Sequence, residues 1–174
     1  DMNPTNVVKK FLANYTNRVN DEFLLTIRDL PNGLAELDNL MTLASIIQKE
    51  AASYEEMCRV SAVFHNRLDD SANYPFLQSD ATNNYIKDSI RPFMTVEKQD
   101  LYDAYDSYKC IGLPIGPICN PGMDAIRAAA NPDPSIKGTF FVSDNAGTYY
   151  YASTMAEHEA NIAKANAVNK TLED

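Results

Sequence analysis

Residues 38–68 read DNLMTLASIIQKEAASYEEMCRVSAVFHNRL and decide the fold class of this chain. Apolar residues recur at three- and four-residue spacing in both halves of the stretch, which is typical of amphipathic helices. The first half predicts a helix from about Asp38 to Ala52. Its apolar positions are Leu40, Leu43, Ile46 and Ile47.

A second helix is predicted directly after the first. Ser53-Tyr54-Glu55-Glu56 has the form of a capping box, in which the side chains of the first and fourth residues satisfy each other's free backbone N–H groups. We therefore expect a helix to begin there and to reach Leu68. Its inward face would carry Met57, Val60, Ser61 and Phe64.

The flanking sequence predicts further helices joined by loops. Asn3-Pro4 is typical of a helix start, and the apolar spacing that follows predicts one helix to about residue 28. Residues 69–95 lack a period and are expected to be irregular, whereas a short helix is expected over 96–105. The segment 112–118, rich in Gly and Pro, predicts an extended loop. Asn120-Pro121 is expected to cap a helix that ends near Ala130.

The C-terminal part predicts a β-hairpin and a last helix. Residues 139–143 and 148–152 flank Asp144-Asn145-Ala146-Gly147, a strong turn signal, and Thr154 begins a second capping box. No repeat or low-complexity linker divides the chain. The predicted fold class is therefore α+β, a mainly helical single domain with a small antiparallel β element.

Composition excludes several classes of function. The 174 residues carry a formal charge of −9, which disfavours nucleic acid and anionic lipid as partners. No apolar run reaches the roughly 18–20 residues of a membrane span, and the first residues show no signal-peptide pattern. Because the chain starts abruptly at a helix start, we expect it to be a fragment of a longer protein.

The cysteines and histidines do not predict a metal site. Three cysteines without a CxxC spacing and two histidines are too few for most such sites. Cys110 and Cys119 could pair in an oxidising compartment, although buried free thiols are the favoured interpretation. We expect neither a metal nor a cofactor.

Glu50 occupies an unusual position on the first of the two central helices. On a helical wheel, Leu43, Ile46 and Ile47 all lie within about 60° of it, so its carboxyl group shares their apolar face. Burial against apolar groups disfavours the charged form and raises the pKa, which suits a general acid. A structural glutamate that binds a buried amide or an arginine fits the wheel equally well. Asp80 is the candidate second carboxylate, but no local spacing fixes its distance from Glu50.

Six segments in one order resemble the MltG (YceG-like) family of endolytic murein transglycosylases. The first two are 43–51, which ends in Gln-Lys-Glu-Ala, and 63–68, which reads VFHNRL. Next come LQSDAT at 77–82 with Tyr85, and YDSY at 105–108 followed by GLPIGPI at 112–118. The last are NPG at 120–122, followed by Ala128–Ala130, and FFV at 140–142 with Glu157-His158. Together they cover roughly residues 38–165.

The resemblance implies an activity. Members of this family cleave the β-1,4 bond between N-acetylmuramic acid and N-acetylglucosamine in peptidoglycan and form a 1,6-anhydro end. A single carboxyl group can first protonate the leaving oxygen and then accept the proton of the C6 hydroxyl. The family's catalytic glutamate falls on Glu50, which the wheel selects independently.

The resemblance also implies a set of substrate-binding residues. Motif positions expected to line the glycan groove, and tyrosines expected at its edge, are Asn66, Gln78, Ser79, Asp80, Thr82, Tyr85, Tyr105 and Tyr108. Each of them, taken singly, also has an ordinary structural interpretation, and Arg67 is expected to hold Asp80 or another carboxylate. No metal ligand and no cofactor follow from the family pattern.

Domain boundaries, location and partners follow from the same resemblance. It implies an N-terminal helix and connector over 1–37 and a catalytic domain, one continuous globular unit, over 38–174. The parent protein is expected to be membrane-anchored at the extracytoplasmic face of a bacterial cell membrane. Its substrate would be peptidoglycan strands, and penicillin-binding peptidoglycan synthases are partners that only the resemblance suggests.

The chain departs from the family pattern at several positions. Gln48 stands where the family has a glutamate, on the far side of the wheel from Glu50. Ala81 and Ile115 replace prolines. Tyr149 stands where many relatives carry a histidine, and a change of subsite preference or rate is expected if that histidine contacts substrate.

Three rival functions remain at this stage. A non-catalytic peptidoglycan-binding or scaffold module would keep the groove without the chemistry. A pyridoxal-phosphate-dependent aminodeoxychorismate lyase, a label some family members carry, would need a lysine in a cofactor site, and Lys49 points about 100° away from Glu50 on the wheel. A cysteine hydrolase built on Cys58 and His65 is disfavoured because the two residues lie seven apart on one helix.

Overall fold

The structure is a computed structural model that describes residues 3–173, without the side chain of residue 173. The helices are α1 (Pro4–Arg18), α2 (Asp21–Ile27), α3 (Leu37–Glu50), α4 (Tyr54–Asp69), α5 (Asp80–Tyr85), α6 (Gln99–Tyr105), α7 (Met123–Ala130) and α8 (Met155–Glu173). The strands are β1 (Phe140–Ser143) and β2 (Tyr149–Ala152). A π-helical segment (Ile86–Ile90) and a 3-10 turn (Arg91–Phe93) continue α5. The predicted mainly helical α+β fold class is confirmed.

Helix α3 lies at the centre of the core. Its residues 42–47 are buried on every side, between α4 and α7. Ala125, Ala128 and Ala129 of α7 are fully buried against it, and their small side chains let the two helices approach closely. The predicted inward face of α4 is confirmed, since Met57, Val60, Ser61 and Phe64 are all buried.

The hairpin packs on one side of this helical core. Its strands are antiparallel, and Phe141 lies opposite Tyr151. The ring of Phe141 meets Phe64 edge-on at 6.0 Å between centroids, which joins the hairpin to α4. Helix α8 covers both strands. The hairpin thus lies between α4 and α8, and its residues can line a cavity between those helices.

Both predicted capping residues start their helices, but only the second capping box is reciprocal, because the Glu56 carboxylate binds Arg59 and Tyr151 instead of the Ser53 N–H. Ser53 Oγ accepts a hydrogen bond from Glu56 N at 3.2 Å and begins α4. Thr154 Oγ1 accepts from Glu157 N, and Glu157 Oε2 accepts from Thr154 N, both at 3.2 Å, at the start of α8. The start of α1 is also confirmed, because Asn3 Oδ1 accepts from Asn6 N at 2.8 Å. These local patterns fixed the helix starts as predicted.

Three predicted element boundaries are wrong. The first helix ends at Arg18 instead of near residue 28, because Asn20 accepts a hydrogen bond from Phe23 N and starts α2. Residues 80–93 are helical rather than irregular. The N-cap of α7 is Gly122 rather than Asn120. The N–H of Gly122 donates to Gln48 Oε1 at 2.8 Å, which ties this helix start to α3.

The N-terminal helices differ in how far they enter the core. None of the residues of α1 is buried, whereas Ile27 of α2 and Leu34 of the connector are fully buried in the main core. The domain boundary expected at residue 37 stays a prediction. No helix in the described residues is long and apolar enough to cross a membrane. Cys58, Cys110 and Cys119 are free thiols, all half-buried.

Gly138 allows the chain to enter the hairpin. A Cβ atom at this position would lie 2.5 Å from the carbonyl oxygen of Ala152. Because that neighbour is backbone, Gly138→Ala must displace β1 from β2, and we expect it to lower the free energy of unfolding by about 1–3 kcal/mol in urea denaturation. Gly116→Ala is the matched control, since its Cβ would meet only the Tyr105 hydroxyl at 3.3 Å. Equal losses in the two variants would contradict the prediction.

Candidate active site

Glu50 is the last residue of α3, where the enclosed helix reaches a cavity. The helix ends here because Ala51 is extended, with φ −140° and ψ 147°, while its N–H still donates to Ile47 O. The preceding residues of α3 are anchored in the core, so the position of the Glu50 backbone is fixed. Its half-buried side chain leaves the helix at the point where the apolar packing stops.

The Glu50 carboxyl group is held by the loop that precedes α5. Ser79 Oγ donates to Glu50 Oε1 at 2.5 Å. Ser79 is itself buried, and its N–H donates to Ser107 Oγ at 2.8 Å. Thr82 Oγ1 donates to Ser79 O at 2.8 Å and lies 2.9 Å from Ser107 Oγ. This network of buried hydroxyls fixes the hydroxyl that contacts Glu50.

Burial raises the pKa of Glu50 above its ordinary value of 4.5. The hydrogen bond from Ser79 opposes this shift, the nearby charge of Asp80 adds to it, and the backbone N–H of Ala81 opposes it. The increase predicted from the helical wheel is therefore confirmed in direction. A carboxyl group with this balance can hold a proton and also release it, as a general acid and base must.

Asp80 and Tyr108 form a second polar pair beside Glu50. The Tyr108 hydroxyl donates to Asp80 Oδ1 at 2.8 Å. Burial and this hydrogen bond raise the pKa of Tyr108 to about 12, so the phenol stays protonated. One oxygen of Asp80 is thus engaged by a neighbouring side chain.

Tyr149 fixes the main chain of Glu50. Its hydroxyl donates to the Glu50 carbonyl oxygen at 2.6 Å, a group that the end of α3 leaves without an intrahelical partner. The Tyr149 ring stacks between Phe141 and Tyr151, with centroids 6.5 Å from each. The tyrosine that replaces the family histidine therefore contacts the glutamate's backbone from the hairpin.

A cavity of about 440 Å³ opens in front of these groups. Glu50, Gln78, Asp80 and Tyr108 form one polar side of it. Strand β1, helices α4 and α8, and the loop residues Leu77 and Thr139 supply the other lining residues. The size and the mixed lining suit an organic ligand larger than water.

Arg67 organises the chain around the cavity. Its Nε donates to Thr139 O at 2.6 Å, and its Nη1 donates to Phe76 O at 2.9 Å and to Gln78 Oε1 at 2.8 Å. The expectation that Arg67 holds Asp80 or another carboxylate is wrong, because its described hydrogen bonds all go to carbonyl oxygens. It joins the start of β1 to the loop before α5, two segments that sequence alone does not bring together.

The structure brings some of the predicted site residues together and separates others. The cavity is lined by four of them, Glu50, Gln78, Asp80 and Tyr108. Ser79 lies outside the lining and donates a hydrogen bond to the Glu50 carboxyl group. Thr82 is fully buried in the hydroxyl network. The Asn66 carboxamide donates to Ile136 O at 3.1 Å and Gly138 O at 2.8 Å, which gives it a structural contact outside the cavity lining.

The two remaining predicted residues, at the ends of α5 and α6, contact each other away from the Glu50 cavity. The rings of Tyr85 and Tyr105 contact each other at 5.3 Å between centroids. Tyr85 also lines a separate cavity of about 370 Å³ together with Lys49 and Ala81. Neither tyrosine lines the Glu50 cavity, so their assignment to substrate stays a prediction.

Sequence reasoning did not predict that Met155 and Ile162 line the cavity. It placed Phe140, Val142 and His158 in motifs that resemble the family, but it did not predict them as lining residues either. Their contacts arise when the hairpin folds between α4 and α8, which no local pattern encodes. The Glu-His pair at 157–158 was the available signal.

The rival sites receive no geometric support. Among the described side chains, residues 3–172, no three or more of His, Cys, Asp or Glu form a group that could hold a metal ion. His65 Nε2 lies 2.9 Å from Ala129 O, and burial lowers its pKa. Burial raises the pKa of the Cys58 thiol, which disfavours a nucleophilic thiolate.

Comparison with known proteins assigns the chain to a family. The model of the YceG-like family matches residues 1–164. A crystal structure of a yceG-like protein from Listeria monocytogenes is similar, with a TM-score of 0.60 and 26% identity over 89% of this chain and 46% of that one. The chain belongs to the YceG-like family.

Two relatives of this chain carry the name endolytic murein transglycosylase. The protein from Streptococcus pneumoniae strain D39 is 31% identical over 134 residues, which is 74% of this chain. The protein from Bacillus subtilis strain 168 is 29% identical over 145 residues, which is 83% of this chain. The chain spans only 24% and 39% of the lengths of these two proteins.

The raised pKa of Glu50 predicts how stability depends on pH. Its folded-state pKa lies above the unfolded value, so its contribution is complete below pH of about 4.5 and is lost as pH rises through the folded pKa. Glu50→Gln stays neutral and avoids that loss. In urea denaturation at several pH values, the stability of this variant should therefore rise relative to wild type between about pH 4.5 and neutrality. A constant difference across that range would contradict the prediction.

Proposed function

We propose that this chain is the catalytic region of a peptidoglycan lytic transglycosylase, with Glu50 as its single general acid and base. The observation that carries the proposal is a partly buried carboxyl group with a raised pKa at the wall of an open cavity. Membership of a family whose named relatives are endolytic murein transglycosylases supports the choice of substrate.

The proposed reaction uses one carboxyl group twice. Protonated Glu50 donates its proton to the glycosidic oxygen between N-acetylmuramic acid and N-acetylglucosamine, and the bond to the anomeric carbon breaks. The Glu50 carboxylate then accepts the proton of the muramic acid C6 hydroxyl while that oxygen bonds to the anomeric carbon. The product carries a 1,6-anhydro ring, and the carboxyl group ends protonated, as it began.

The contacts of Glu50 suit both halves of this cycle. Burial favours the protonated state that the first step needs, and the hydrogen bond from Ser79 stabilises the carboxylate between the steps. Gln48, which replaces a family glutamate, binds Gly122 instead of facing the cavity. Its loss of charge therefore leaves this chemistry intact.

Asp80 is the group that an alternative reaction would use. A hydrolase needs a second carboxylate to activate water or to attack the sugar, and Asp80 lies close enough to raise the pKa of Glu50. Its hydrogen bond from Tyr108 favours a role in binding hydroxyl groups of the glycan.

The proposed substrate also implies a location. Peptidoglycan lies outside the cytoplasmic membrane, so the parent protein would act at the extracytoplasmic face of that membrane. The resemblance implies that this parent protein is membrane-anchored.

Digestion of purified peptidoglycan tests the proposal. Wild type should release fragments with anhydro ends, identified by mass spectrometry, and Glu50→Gln should lower the rate by about 10²–10⁴-fold because the neutral amide cannot transfer the proton. Asp80→Asn is the matched control, since it changes a neighbouring carboxylate to an amide. It should slow the reaction less and still give anhydro ends.

Other products would support other functions. Reducing ends in place of anhydro ends would identify a hydrolase and would move attention to Asp80. No product from wild type, together with equal binding of insoluble peptidoglycan by wild type and Glu50→Gln, would instead support a non-catalytic binding module.

Tyr149→Phe should lower kcat and leave KM nearly unchanged. The variant keeps the ring stacking but removes the hydrogen bond that fixes the Glu50 carbonyl, so the carboxyl group is held less well in the reacting geometry. We expect a loss of about 3- to 30-fold in steady-state kinetics with soluble strands. Tyr150→Phe is the control, because the Tyr150 hydroxyl binds Asp144 in the hairpin turn. A selective rise in KM in Tyr149→Phe would contradict this role.

A further inference from the structure

The cavity has a second wall that the proposed chemistry does not use. Strand β1 and helix α8 form it with Phe140, Val142, Met155, His158 and Ile162, and we call it the β1–α8 wall. The wall is continuous with the Glu50 site, because both line the same cavity. Substrate held at Glu50 would therefore extend along it.

Apolar side chains of this wall face open space. Met155 is 56% exposed and Ile162 is 37% exposed, although both are large and line the cavity. Sugar rings offer mainly hydroxyl and acetamido groups, which do not need such a surface. Exposed aliphatic groups beside a polar site are typical of a surface that binds a partly apolar ligand.

Arg67 provides a cation next to this wall. It is 6% exposed, and its guanidinium group lies 5.7 Å from the centre of the Tyr74 ring and 5.2 Å from that of Phe140. Its hydrogen bonds go to neutral oxygens, and no carboxylate among the described side chains, residues 3–172, forms an ion pair with it. Carbonyl oxygens and two ring faces stabilise the guanidinium group but do not neutralise it, and a buried net positive charge favours an anionic ligand.

His158 adds an unused hydrogen-bonding group. Its ring stacks on Phe140 with centroids 5.2 Å apart, and its buried Nδ1 has no hydrogen-bond partner in the described part of the chain. Burial and the charge of Arg67 lower the pKa of His158, while Glu159 opposes this shift. The imidazole is therefore mainly neutral at pH 7 and can donate or accept one hydrogen bond.

Peptidoglycan carries one substituent with matching chemistry. Each muramic acid bears at C3 a lactyl group, and in strands with stems a short peptide is joined to it by an amide bond. This stem combines methyl groups, amides and carboxylates. We propose that the β1–α8 wall binds the peptide stem of the muramic acid, with Met155 and Ile162 against its aliphatic groups, His158 on an amide and Arg67 near a carboxylate.

The inference rests on the proposed function and makes it more specific. A strand would be recognised both by its sugars at Glu50 and by its peptide at the β1–α8 wall. Strands from which the peptides have been removed would lose the second set of contacts and would bind less well. The wall would thus select strands that still carry their stems.

The test compares strands that carry peptides with strands that an amidase has stripped. Amidase cleavage converts the lactyl amide to a free carboxylate, so stripped strands lose the peptide and gain one negative charge. The variants His158→Phe and Ile162→Ser keep Arg67 and therefore report the peptide contacts separately from this change in charge. We expect wild type to show about tenfold higher kcat/KM for peptide-bearing strands, mainly through KM, because several weak contacts add. His158→Phe keeps the stacking on Phe140 but lacks the nitrogen, and Ile162→Ser removes an aliphatic contact. Both should move the ratio toward one, mainly by lowering kcat/KM for peptide-bearing strands.

Leu172→Ser is the matched control for Ile162→Ser. Leu172 is another exposed aliphatic residue of α8, and it lies outside the cavity lining, so its variant should keep the wild-type ratio. Circular dichroism identifies any variant that fails to fold. If one of the two wall variants fails to fold, the substrate preference of the other one tests the inference. Equal kcat/KM for both substrates in wild type, or a preference that both wall variants keep, would overturn the inference while the proposed reaction stands.

A failure of the proposed reaction gives a different result. In that case neither substrate yields anhydro ends, and sedimentation with insoluble peptidoglycan replaces the kinetics. Wild type that binds peptide-bearing material better than stripped material, with the difference lost in His158→Phe and Ile162→Ser, would still support the wall. Equal binding of the two materials would overturn it.

Discussion

The enclosure of α3 is the constraint on which the rest of the structure depends. Six consecutive residues, 42–47, are buried on all faces of the helix, so α3 cannot shift without disturbing α4 and α7 together. Glu50 follows this segment by less than one turn. The reach of the carboxyl group into the cavity is therefore set by the main core, and rigid support of this kind is what a proton-transferring side chain needs.

Contacts from three distant parts of the chain complete the geometry around Glu50. Ser79 binds its carboxyl group, and Tyr149 binds its carbonyl group. Arg67 connects the loop that carries Ser79 to the start of the hairpin whose second strand carries Tyr149. The first contact opposes the effect of burial on the pKa, and the second satisfies a carbonyl at a helix end. Ser79 thus affects both the acidity and the position of the carboxyl group, whereas Tyr149 fixes the main chain of Glu50.

Local signals explain which features the sequence predicts. The apolar period predicts α3 and α4, the capping residues predict the starts of α4 and α8, and the helical wheel places Glu50 on an apolar face. All three signals depend only on neighbours within one or two helical turns. The break after Arg18 was missed because the Asn20 cap interrupts an apolar pattern that continues through it. The pairing of Ser79 with Glu50 and of Arg67 with Thr139 joins residues 29 and 72 positions apart, beyond the reach of any periodicity.

The bond between Gln48 and Gly122 gives the core a property that a carboxylate would not supply. The amide oxygen of Gln48 accepts the first free N–H of α7, the helix that packs most closely on α3. A glutamate here would also complement the positive end of the helix, but protonation would remove its charge and turn one of its two oxygens into a donor. With glutamine, the α3–α7 contact does not change as the pH falls. Glu50 also ionises without a second carboxylate within one turn of it on α3.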